Sequence, residues 1–194
     1  KTAWYENDGS QSFTERVIST NADGARSVYA IDVDGDGDID VLSASNIDDK
    51  VVWYDNDGSQ SFTERVISTN ADGARSVFAI DVDGDGDMDV LSASMNDDKI
   101  AWYENDGLES FTEHEISTSA DNPLSVFAID VDGDGDVDVL SASIFGNKIA
   151  WYENDGSQSF TERVISTNAD GARSVYAIDV DGDGDVDVLL ASYK

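Results

Sequence analysis

The sequence predicts an all-β protein, a β-propeller whose blades are four-stranded antiparallel sheets. The first observation behind this prediction is a repeat of 49 residues, whose units begin at Lys1, Lys50, Lys99 and Lys148. The second is that each unit contains four short segments with the residue pattern of β-strands, and the third is the absence of a helical period. A parallel β-helix built from nonapeptides is the alternative, but it requires a period of about nine or eighteen residues.

The four strands of a unit are clearest in the second copy. Lys50–Tyr54 is rich in β-branched and aromatic residues, and Asn56–Gly58 then provides turn chemistry. Phe62–Ser68 alternates apolar and polar residues, as a half-buried strand does. Ser76–Ile80 is a continuous apolar run, which is typical of a strand covered on both faces. An acidic loop follows, and Met88–Ser94 is predicted as the fourth strand.

The order of the strands predicts one domain over residues 1–194, with three complete blades and one split blade. The complete blades span about residues 27–69, 76–118 and 125–167, and the split blade combines residues 174–194 with residues 1–19. If both halves of the split blade meet within one chain, they close a four-bladed ring. If two chains exchange them, the product is an eight-bladed homodimer, and the sequence leaves both outcomes open.

Composition excludes several classes of protein. The chain is 40% hydrophobic, which suits one domain with a core, and its net charge is -31. Such a surface repels nucleic acid and anionic membranes, and no segment has the length and hydropathy needed for membrane insertion. Because the chain has no cysteine and one histidine, disulfides, thiolate sites and histidine-rich metal sites are excluded.

Each repeat contains a nine-residue run with five aspartates, which is the most specific chemical signal in the sequence. In the first copy the run reads Asp32-Val33-Asp34-Gly35-Asp36-Gly37-Asp38-Ile39-Asp40. Two carboxylates about 4 Å apart repel by about 1 kcal/mol in water, and by more near a protein surface. A chain that carries this arrangement four times is expected to neutralise it with a bound cation rather than to leave it as a solvated acidic turn.

Calcium is the cation that this pattern favours, because Ca²⁺ takes about six to eight oxygen ligands whereas Mg²⁺ keeps several waters. Side chains at positions 1, 3, 5 and 9 are predicted to converge on the ion together with the backbone carbonyl at position 7. Gly35 and Gly37 permit the left-handed backbone of such a turn. An EF-hand is excluded because position 12 holds Ser43 instead of glutamate and strands flank the loop. Four ions would bring the net charge to about -23.

The unit of strand, Asp-x-Asp-Gly-Asp-Gly-x-x-Asp loop and strand resembles the FG-GAP repeat of integrin α-subunits, and still more the VCBS-type repeats of bacterial secreted proteins. The resemblance covers the whole chain and implies a propeller with about one Ca²⁺ per repeat, in an extracellular or secreted setting. Integrin-like propellers have seven blades, which four repeats cannot form, so the ring size stays open. By position the resemblance implies these ligands: Asp32, Asp34, Asp36, Asp38, Asp40, Asp81, Asp83, Asp85, Asp87, Asp89, Asp130, Asp132, Asp134, Asp136, Asp138, Asp179, Asp181, Asp183, Asp185 and Asp187.

Three further sets of residues have a functional and a structural interpretation. A tryptophan recurs before a tyrosine in every repeat, at Trp4, Trp53, Trp102 and Trp151. These side chains either stack on sugar rings or pack between blades. Packing is favoured because large aromatic side chains dominate the energetics of protein cores. Arg26, Arg75 and Arg173 either bind an anionic ligand or pair with local carboxylates, and pairing is favoured. His114 is interpreted as a substitution in a diverging repeat, since no nucleophile accompanies it.

The sequence therefore predicts a protein that is not an enzyme, because it lacks a serine elbow, a histidine network and a phosphate-binding glycine loop. The leading hypothesis is a calcium-binding propeller that binds carbohydrate, or a protein ligand in an adhesive role. The alternatives are a purely structural or engineered repeat scaffold, or an accessory module of a larger secreted enzyme. Residues 3–38 and 150–185 are identical, which suits a recent duplication or a deliberate construction.

Overall fold

The computed structural model describes residues 1–193, and residue 194, the last residue of the predicted split blade, lies outside the described part. All regular secondary structure in residues 1–193 is β-strand, which confirms the predicted all-β class. In chain order the strands are β1 (Thr2–Asn7), β2 (Phe13–Ser19), β3 (Ala25–Ile31), β4 (Asp40–Ser45), β5 (Lys50–Asn56), β6 (Phe62–Ser68), β7 (Ala74–Ile80), β8 (Asp89–Ser94), β9 (Lys99–Asn105), β10 (Phe111–Ser117), β11 (Pro123–Ile129), β12 (Asp138–Ser143), β13 (Lys148–Asn154), β14 (Phe160–Ser166), β15 (Ala172–Ile178) and β16 (Asp187–Ser192).

The strands form antiparallel meanders in which each strand pairs with its neighbours in the sequence. Three four-stranded sheets, β3–β6, β7–β10 and β11–β14, are complete blades of a β-propeller, the fold class that the sequence predicts. The predicted strand Phe62–Ser68 has the same bounds in the structure, whereas the strand that starts at Lys50 extends to Asn56. This extension matters for function, because Asn56 reaches the acidic loop.

The chain ends form two separate two-stranded sheets, β1–β2 and β15–β16. The sequence predicts that these halves complete one blade, but within one chain the structure does not join them into a sheet. The ring is therefore not closed by residues 1–193, and the completion of the fourth blade stays a prediction. The described part of the chain also contains no helix with the length and hydropathy to span a bilayer.

The first strands of successive blades lie side by side, β3 next to β7, β7 next to β11 and β11 next to β15. Equivalent aromatic rings on these strands form a continuous aromatic ladder of Tyr29, Phe78, Phe127 and Tyr176. Their ring centroids are 4.9, 4.9 and 4.6 Å apart in that order, within the range of favourable aromatic pairs. The ladder shows that successive blades are stacked in equivalent geometry.

Each pair of neighbouring blades encloses its own apolar core. Between the first and second blades, Leu42 and Trp53 pack against Val77, Val90 and Tyr103, all buried. The same interface recurs between the second and third blades. The interface between the third blade and β15–β16 is smaller, since β15–β16 supplies only two strands. Full burial of such side chains contributes about 1.5–3 kcal/mol each, so the stacked faces hold the acidic loops at fixed spacing.

Candidate metal centre

The acidic loop of each repeat connects the first two strands of its sheet, β3 and β4 in the first copy. Asp32 organises this loop, since its Oδ1 accepts the N–H of Gly35 at 2.8 Å and its Oδ2 accepts the N–H of Gly37 at 2.9 Å. Both glycines have positive φ, 74° and 97°, a region that L side chains rarely adopt. The glycines therefore let the loop fold back around its first aspartate, as the sequence predicts.

Three carboxylates in every repeat come together, with oxygens that all lie within 4.8 Å of one another. In the first two copies these are the aspartates at positions 1, 3 and 5, and in the last two copies they are those at positions 1, 3 and 9. The clusters are Asp32, Asp34, Asp36; Asp81, Asp83, Asp85; Asp130, Asp132, Asp138; and Asp179, Asp181, Asp187. Carboxylate oxygen is a hard donor, so this arrangement fits Ca²⁺ or Mg²⁺ better than a softer metal.

In the three complete blades the aspartate at position 9 is the most buried of the five, and its two oxygens hold the loop to a strand through a pair of hydrogen bonds, called the clamp here. Asp40, Asp89 and Asp138 are at most 1% exposed. In the first copy, Oδ2 of Asp40 accepts the N–H of Val33 at 3.0 Å, and Oδ1 accepts the N–H of Asn56 at 2.8 Å. The carboxylate thus joins the acidic loop to the end of the third strand.

The asparagine of this clamp is a site residue that the sequence analysis missed. Besides its backbone bond, the Asn56 side chain donates from Nδ2 to the carbonyl of Ile39 at 3.0 Å. Asn105 and Asn154 make the same pair of bonds in the next two blades. The signal was present in the sequence, because an asparagine follows the ninth-position aspartate by 16 residues in each of the three complete blades.

The aspartate at position 7 does not join the carboxylate clusters, as expected if only its backbone carbonyl were to face an ion. Asp38 instead directs its side chain at Gly58 in the β5–β6 turn, where an added Cβ would lie 2.4 Å from Oδ2. Asp87 faces Gly107 in the equivalent way at 2.5 Å. The role of these aspartates as ligands, like that of the other sixteen, stays a prediction.

The negative charges of the acidic loops are not balanced by basic residues in the described part of the chain. Among residues 1–193, none of the aspartates in the four acidic runs forms an ion pair with a lysine, arginine or histidine. Burial raises the pKa of Asp89 to about 6, although the N–H groups of Asn105 and Val82 act in the opposite direction. Burial also raises the pKa of Asp40 and Asp138. A bound cation would relieve this cost of burying charge.

The tryptophans mostly pack between blades, as the sequence analysis favours. Trp53 and Trp102 are 1% and 3% exposed, so neither can stack on a sugar. Trp53 faces Phe111 of the next blade at 6.3 Å between ring centroids. Burial raises the pKa of Asp40, and the nearby Trp53 indole acts weakly in the opposite direction although its N–H lacks a well-formed hydrogen bond. The Trp53 side chain therefore supports the clamp from the core side.

The prediction that Arg26, Arg75 and Arg173 pair with local carboxylates is wrong. Within residues 1–193, no carboxylate lies within 4 Å of these guanidinium groups, whereas Arg65 pairs with Asp55 at 2.7 Å. Arg26 donates to the side chain of an asparagine, Arg75 contacts a methionine sulfur, and Arg173 lies over a tyrosine ring. Burial, and then the charges of Arg26 and Arg173 on other first strands, lower the pKa of Arg75.

The single histidine has a structural role. His114 stacks on Trp102 with 4.6 Å between ring centroids, and its Nε2 lies 2.7 Å from Glu104 Oε2. Arg65 occupies the equivalent place in the first blade, opposite Trp53 and paired with Asp55. The structure therefore agrees with the interpretation of His114 as a substitution in a diverging repeat.

Open grooves lie between consecutive acidic loops. The first, of about 310 Å³, is lined by residues 31–35 of the first loop and 86–88 of the second. The second, of about 250 Å³, is lined by residues 81–84 and 135–137 together with Gln158. A further opening of about 410 Å³ lies next to the first groove, between the first acidic loop and residues 107–109, which include Leu108. Leu108 is 81% exposed and has serine at the equivalent place in the other copies.

A solved structure of another protein has a similar fold. A lectin of Agrocybe aegerita, solved for its specific recognition of non-reducing terminal N-acetylglucosamine, superposes with a TM-score of 0.63 at 18% sequence identity. The match covers 96% of this chain and 54% of the lectin, so the chain spans about half the length of that protein. No curated protein sequence matches the chain.

A family profile for the FG-GAP-like repeat matches four successive segments, residues 1–43, 32–92, 81–141 and 130–190. The last residues of successive matches are 49 residues apart, which is the period of the sequence, and each of the four clusters of carboxylates lies within the matched segments. Together they cover nearly the whole chain. The protein therefore belongs to the FG-GAP-like repeat family.

Proposed function

We propose that the protein is a non-catalytic, calcium-binding propeller that binds carbohydrate in the grooves between consecutive acidic loops. The observation that carries this proposal is the set of four carboxylate clusters, none of which has a lysine, arginine or histidine partner among residues 1–193. Like-charged oxygens this close are stable together only when a cation or protons neutralise them.

The residues of each loop fit calcium by their chemistry. In the first copy, Asp32, Asp34 and Asp36 would hold the ion with carboxylate oxygens. Asp38 would contribute its backbone carbonyl, and Asp40 would bind from the buried side of the loop. A donor set with this many carboxylates favours Ca²⁺, because Mg²⁺ requires near-ideal octahedral geometry and retains several waters. The bound ion would supply positive charge and an open position for oxygen ligands.

The grooves support carbohydrate as the ligand class. Their walls are the acidic loops themselves, whose carboxylates and backbone groups can bond to sugar hydroxyls. Their volumes of about 310 and 250 Å³ are near the lower end of ligand sites, which suits one sugar unit. Leu108 adds an apolar surface beside the first groove, and equivalent grooves on one chain would bind a multivalent glycan with avidity. The fold likeness to a lectin is consistent with this proposal.

A glycan array probed with the purified chain in millimolar Ca²⁺, and again in EDTA, tests the proposal. We expect saturable binding that is lost in EDTA, with N-acetylglucosamine as the first sugar to titrate in solution. If calcium raises the melting temperature but no glycan binds, the lectin proposal is wrong and a structural scaffold is favoured. If calcium neither binds nor stabilises the chain, the metal proposal is wrong as well.

A repeat-matched variant separates the ligand site from the metal site. Leu108→Ser restores the residue of the other three copies, and it is expected to weaken glycan binding without changing calcium stoichiometry. The control is Phe145→Ser, since Phe145 is 71% exposed in a loop that lines none of these grooves. Equal losses in both variants would contradict a site at the first groove.

The second candidate function is a structural scaffold. Residues 3–38 and 150–185 are identical, and a selective ligand site does not require repeats with identical sequences. An adhesive protein ligand and an accessory role in a larger secreted enzyme fit the same fold. We further propose an extracellular location. A calcium Kd of about 10⁻⁴–10⁻³ M, measured by titration calorimetry, would support it, since extracellular modules bind in that range.

A further inference from the structure

The two terminal half-sheets present apolar surfaces that are buried everywhere else in the protein. Leu42, Leu91 and Leu140 are fully buried at the interface with the following blade, but the equivalent Leu189 of β16 is 42% exposed. On the opposite side of the stack, Val28 is 60% exposed. Its equivalents in β7, β11 and β15, which are Val77, Val126 and Val175, are 4–5% exposed.

These exposed surfaces match each other as the two sides of one blade interface. Tyr176, Ile178 and Leu189 form the C-terminal apolar face, and they correspond to Tyr29, Ile31 and Leu42, which pack against the second blade. Val28 lies beside an apolar cavity of about 220 Å³ that is bounded by Trp4 of β1. The C-terminal apolar face therefore has no following blade packed against it. The cavity beside Val28 is bordered by β1–β2, which is the outer half of a preceding blade whose inner half is missing.

The fourth acidic loop lacks half of its clamp. Asp187 accepts the N–H of Val180 at 2.9 Å, like the first bond in the other loops. The second bond comes in each complete blade from an asparagine at the end of the third strand, and within residues 1–193 no third strand pairs with β16. As a result Asp187 is exposed, whereas Asp40, Asp89 and Asp138 are buried. The missing residue has its equivalent in Asn7, at the end of β1.

We propose that a second copy of this chain completes each split blade, with β16 of one copy paired to β1 of the other. The β4–β5 register, in which Leu42 lies opposite Trp53 and Ser43 opposite Val52, fixes the pairing. It places Leu189 opposite Trp4 and Leu190 opposite Ala3 of the second copy. Asn7 of the second copy then clamps Asp187, so the fourth metal loop is built by both chains.

Two copies are the number that closes a ring. Residues 1–193 form three complete blades and two half-sheets, and the half-sheets are not paired with each other in the structure. Two chains supply eight blades, which is at the upper end of the usual range of about four to eight, and three chains would exceed it. The two junctions are related by a two-fold axis, and the aromatic ladder continues across each of them, from Tyr176 of one copy to Tyr29 of the other.

Light scattering on the full chain in Ca²⁺ gives the first test. We expect a mass of about 42 kDa, twice the 20.9 kDa of one chain, because homodimers are closed by symmetry. Leu189→Lys places a charge on the C-terminal apolar face and should give the monomer mass. Phe145→Lys, on an exposed residue that belongs to neither half-sheet, should stay dimeric. A wild-type monomer, or a Leu189→Lys variant that remains dimeric, would overturn the proposal.

Engineered disulfides test the register, and the absence of native cysteine makes the result unambiguous. Oxidised Ala3→Cys/Leu190→Cys should run as a covalent dimer on non-reducing gels, because residues directly opposite in an antiparallel pair are within disulfide reach. Ala3→Cys/Leu189→Cys is the control, since its second cysteine points to the other face of the strand. A bridge within one chain, no bridge, or equal bridging in both variants would each refute the register or the second copy.

Calcium stoichiometry tests the shared loop. The wild-type dimer is expected to bind four ions per chain with similar affinity, whereas the Leu189→Lys monomer should bind three ions unchanged and the fourth at least tenfold more weakly. Four unchanged sites in a monomeric variant would show that the clamp at Asp187 does not depend on a second copy.

Discussion

Asn105 donates its backbone N–H to Oδ1 of the buried Asp89 at 2.8 Å, and this bond ties the third strand of the second blade to the end of its acidic loop. The other oxygen of Asp89 accepts the N–H of Val82 at 2.9 Å. One carboxylate thus satisfies two backbone donors that the fold has removed from water. Its contribution to stability does not require a metal, and its burial distinguishes it from Asp85 of the same loop, which is exposed.

The first prediction compares Asp89→Ala with Asp85→Ala in urea unfolding. Asp89→Ala leaves two N–H groups without an acceptor, at a cost of about 1–3 kcal/mol for each buried group, so it should destabilise the protein in EDTA and in Ca²⁺. Asp85 is exposed, and its replacement should have little effect in EDTA but should remove part of the stabilisation by Ca²⁺. Equal effects of both variants in EDTA would contradict a special role for the ninth position.

The second prediction concerns metal removal. Binding to the folded state alone stabilises by RT ln(1 + [L]/Kd), or about 2.7 kcal/mol per site at a hundredfold excess of ligand over Kd. We expect EDTA to lower the melting temperature by more than ten degrees if several sites empty together, and Mg²⁺ at the same concentration to restore it only in part. Thermal unfolding followed by tryptophan fluorescence measures both effects.

The third prediction is a pH dependence that changes sign with calcium. In the metal-free protein, burial raises the pKa of Asp89 to about 6, above the ordinary value near 4 of the unfolded chain. The ionised form therefore favours unfolding, and in EDTA the free energy of unfolding should rise by about 1 kcal/mol from this group as the pH falls from about 7 to 5.

In saturating Ca²⁺ the same acidification should destabilise the protein, because protons compete with the ion for carboxylate. Asp89→Asn serves as the control and should reduce the rise seen in EDTA. A metal-free protein that loses stability between pH 7 and 5 would contradict the burial of an ionisable Asp89.

The fourth prediction concerns the arginines without acidic partners. Arg75→Leu copies Leu124 of the third repeat and removes the repulsion from Arg26 and Arg173. We expect the free energy of unfolding to rise by up to about 1 kcal/mol in low salt, and by less in high salt because ions screen the repulsion.

The matched control for Arg75→Leu is Arg65→Leu, which loses pairs with Asp55 and Glu109 and the contact over Trp53. That variant should be less stable than the wild type. Chemical denaturation at two salt concentrations measures both proteins, and a loss of stability in Arg75→Leu comparable to that in Arg65→Leu would refute the repulsion.

The strands and the acidic loops could be predicted because their signals are local. Alternation in Phe62–Ser68 and the glycines in the acidic run specify backbone geometry within a few residues, and the 49-residue period repeats that signal four times. The bond between Asn56 and Asp40 could not be read in the same way, because it depends on which strand end meets which loop. An alignment of the repeats marks Asn56 as constant but does not say what it contacts.

The partners of charged side chains were the least predictable part of the site. Arg65 and Arg75 have similar acidic surroundings in the sequence, but Arg65 lies opposite Trp53 on an outer strand, within reach of Asp55. Arg75 lies on a first strand, beside the first strands of the neighbouring blades, and burial and then the charges of Arg26 and Arg173 lower its pKa. The difference arises from position across the blade, which local composition does not encode.

The aromatic ladder has a consequence for how such proteins change over generations. Because each blade offers the next one the same kind of ring, any blade can follow any other without a new contact having to arise. Unequal crossing-over between nearly identical coding segments would add or remove whole units, and the joint so created would be chemically indistinguishable from its neighbours.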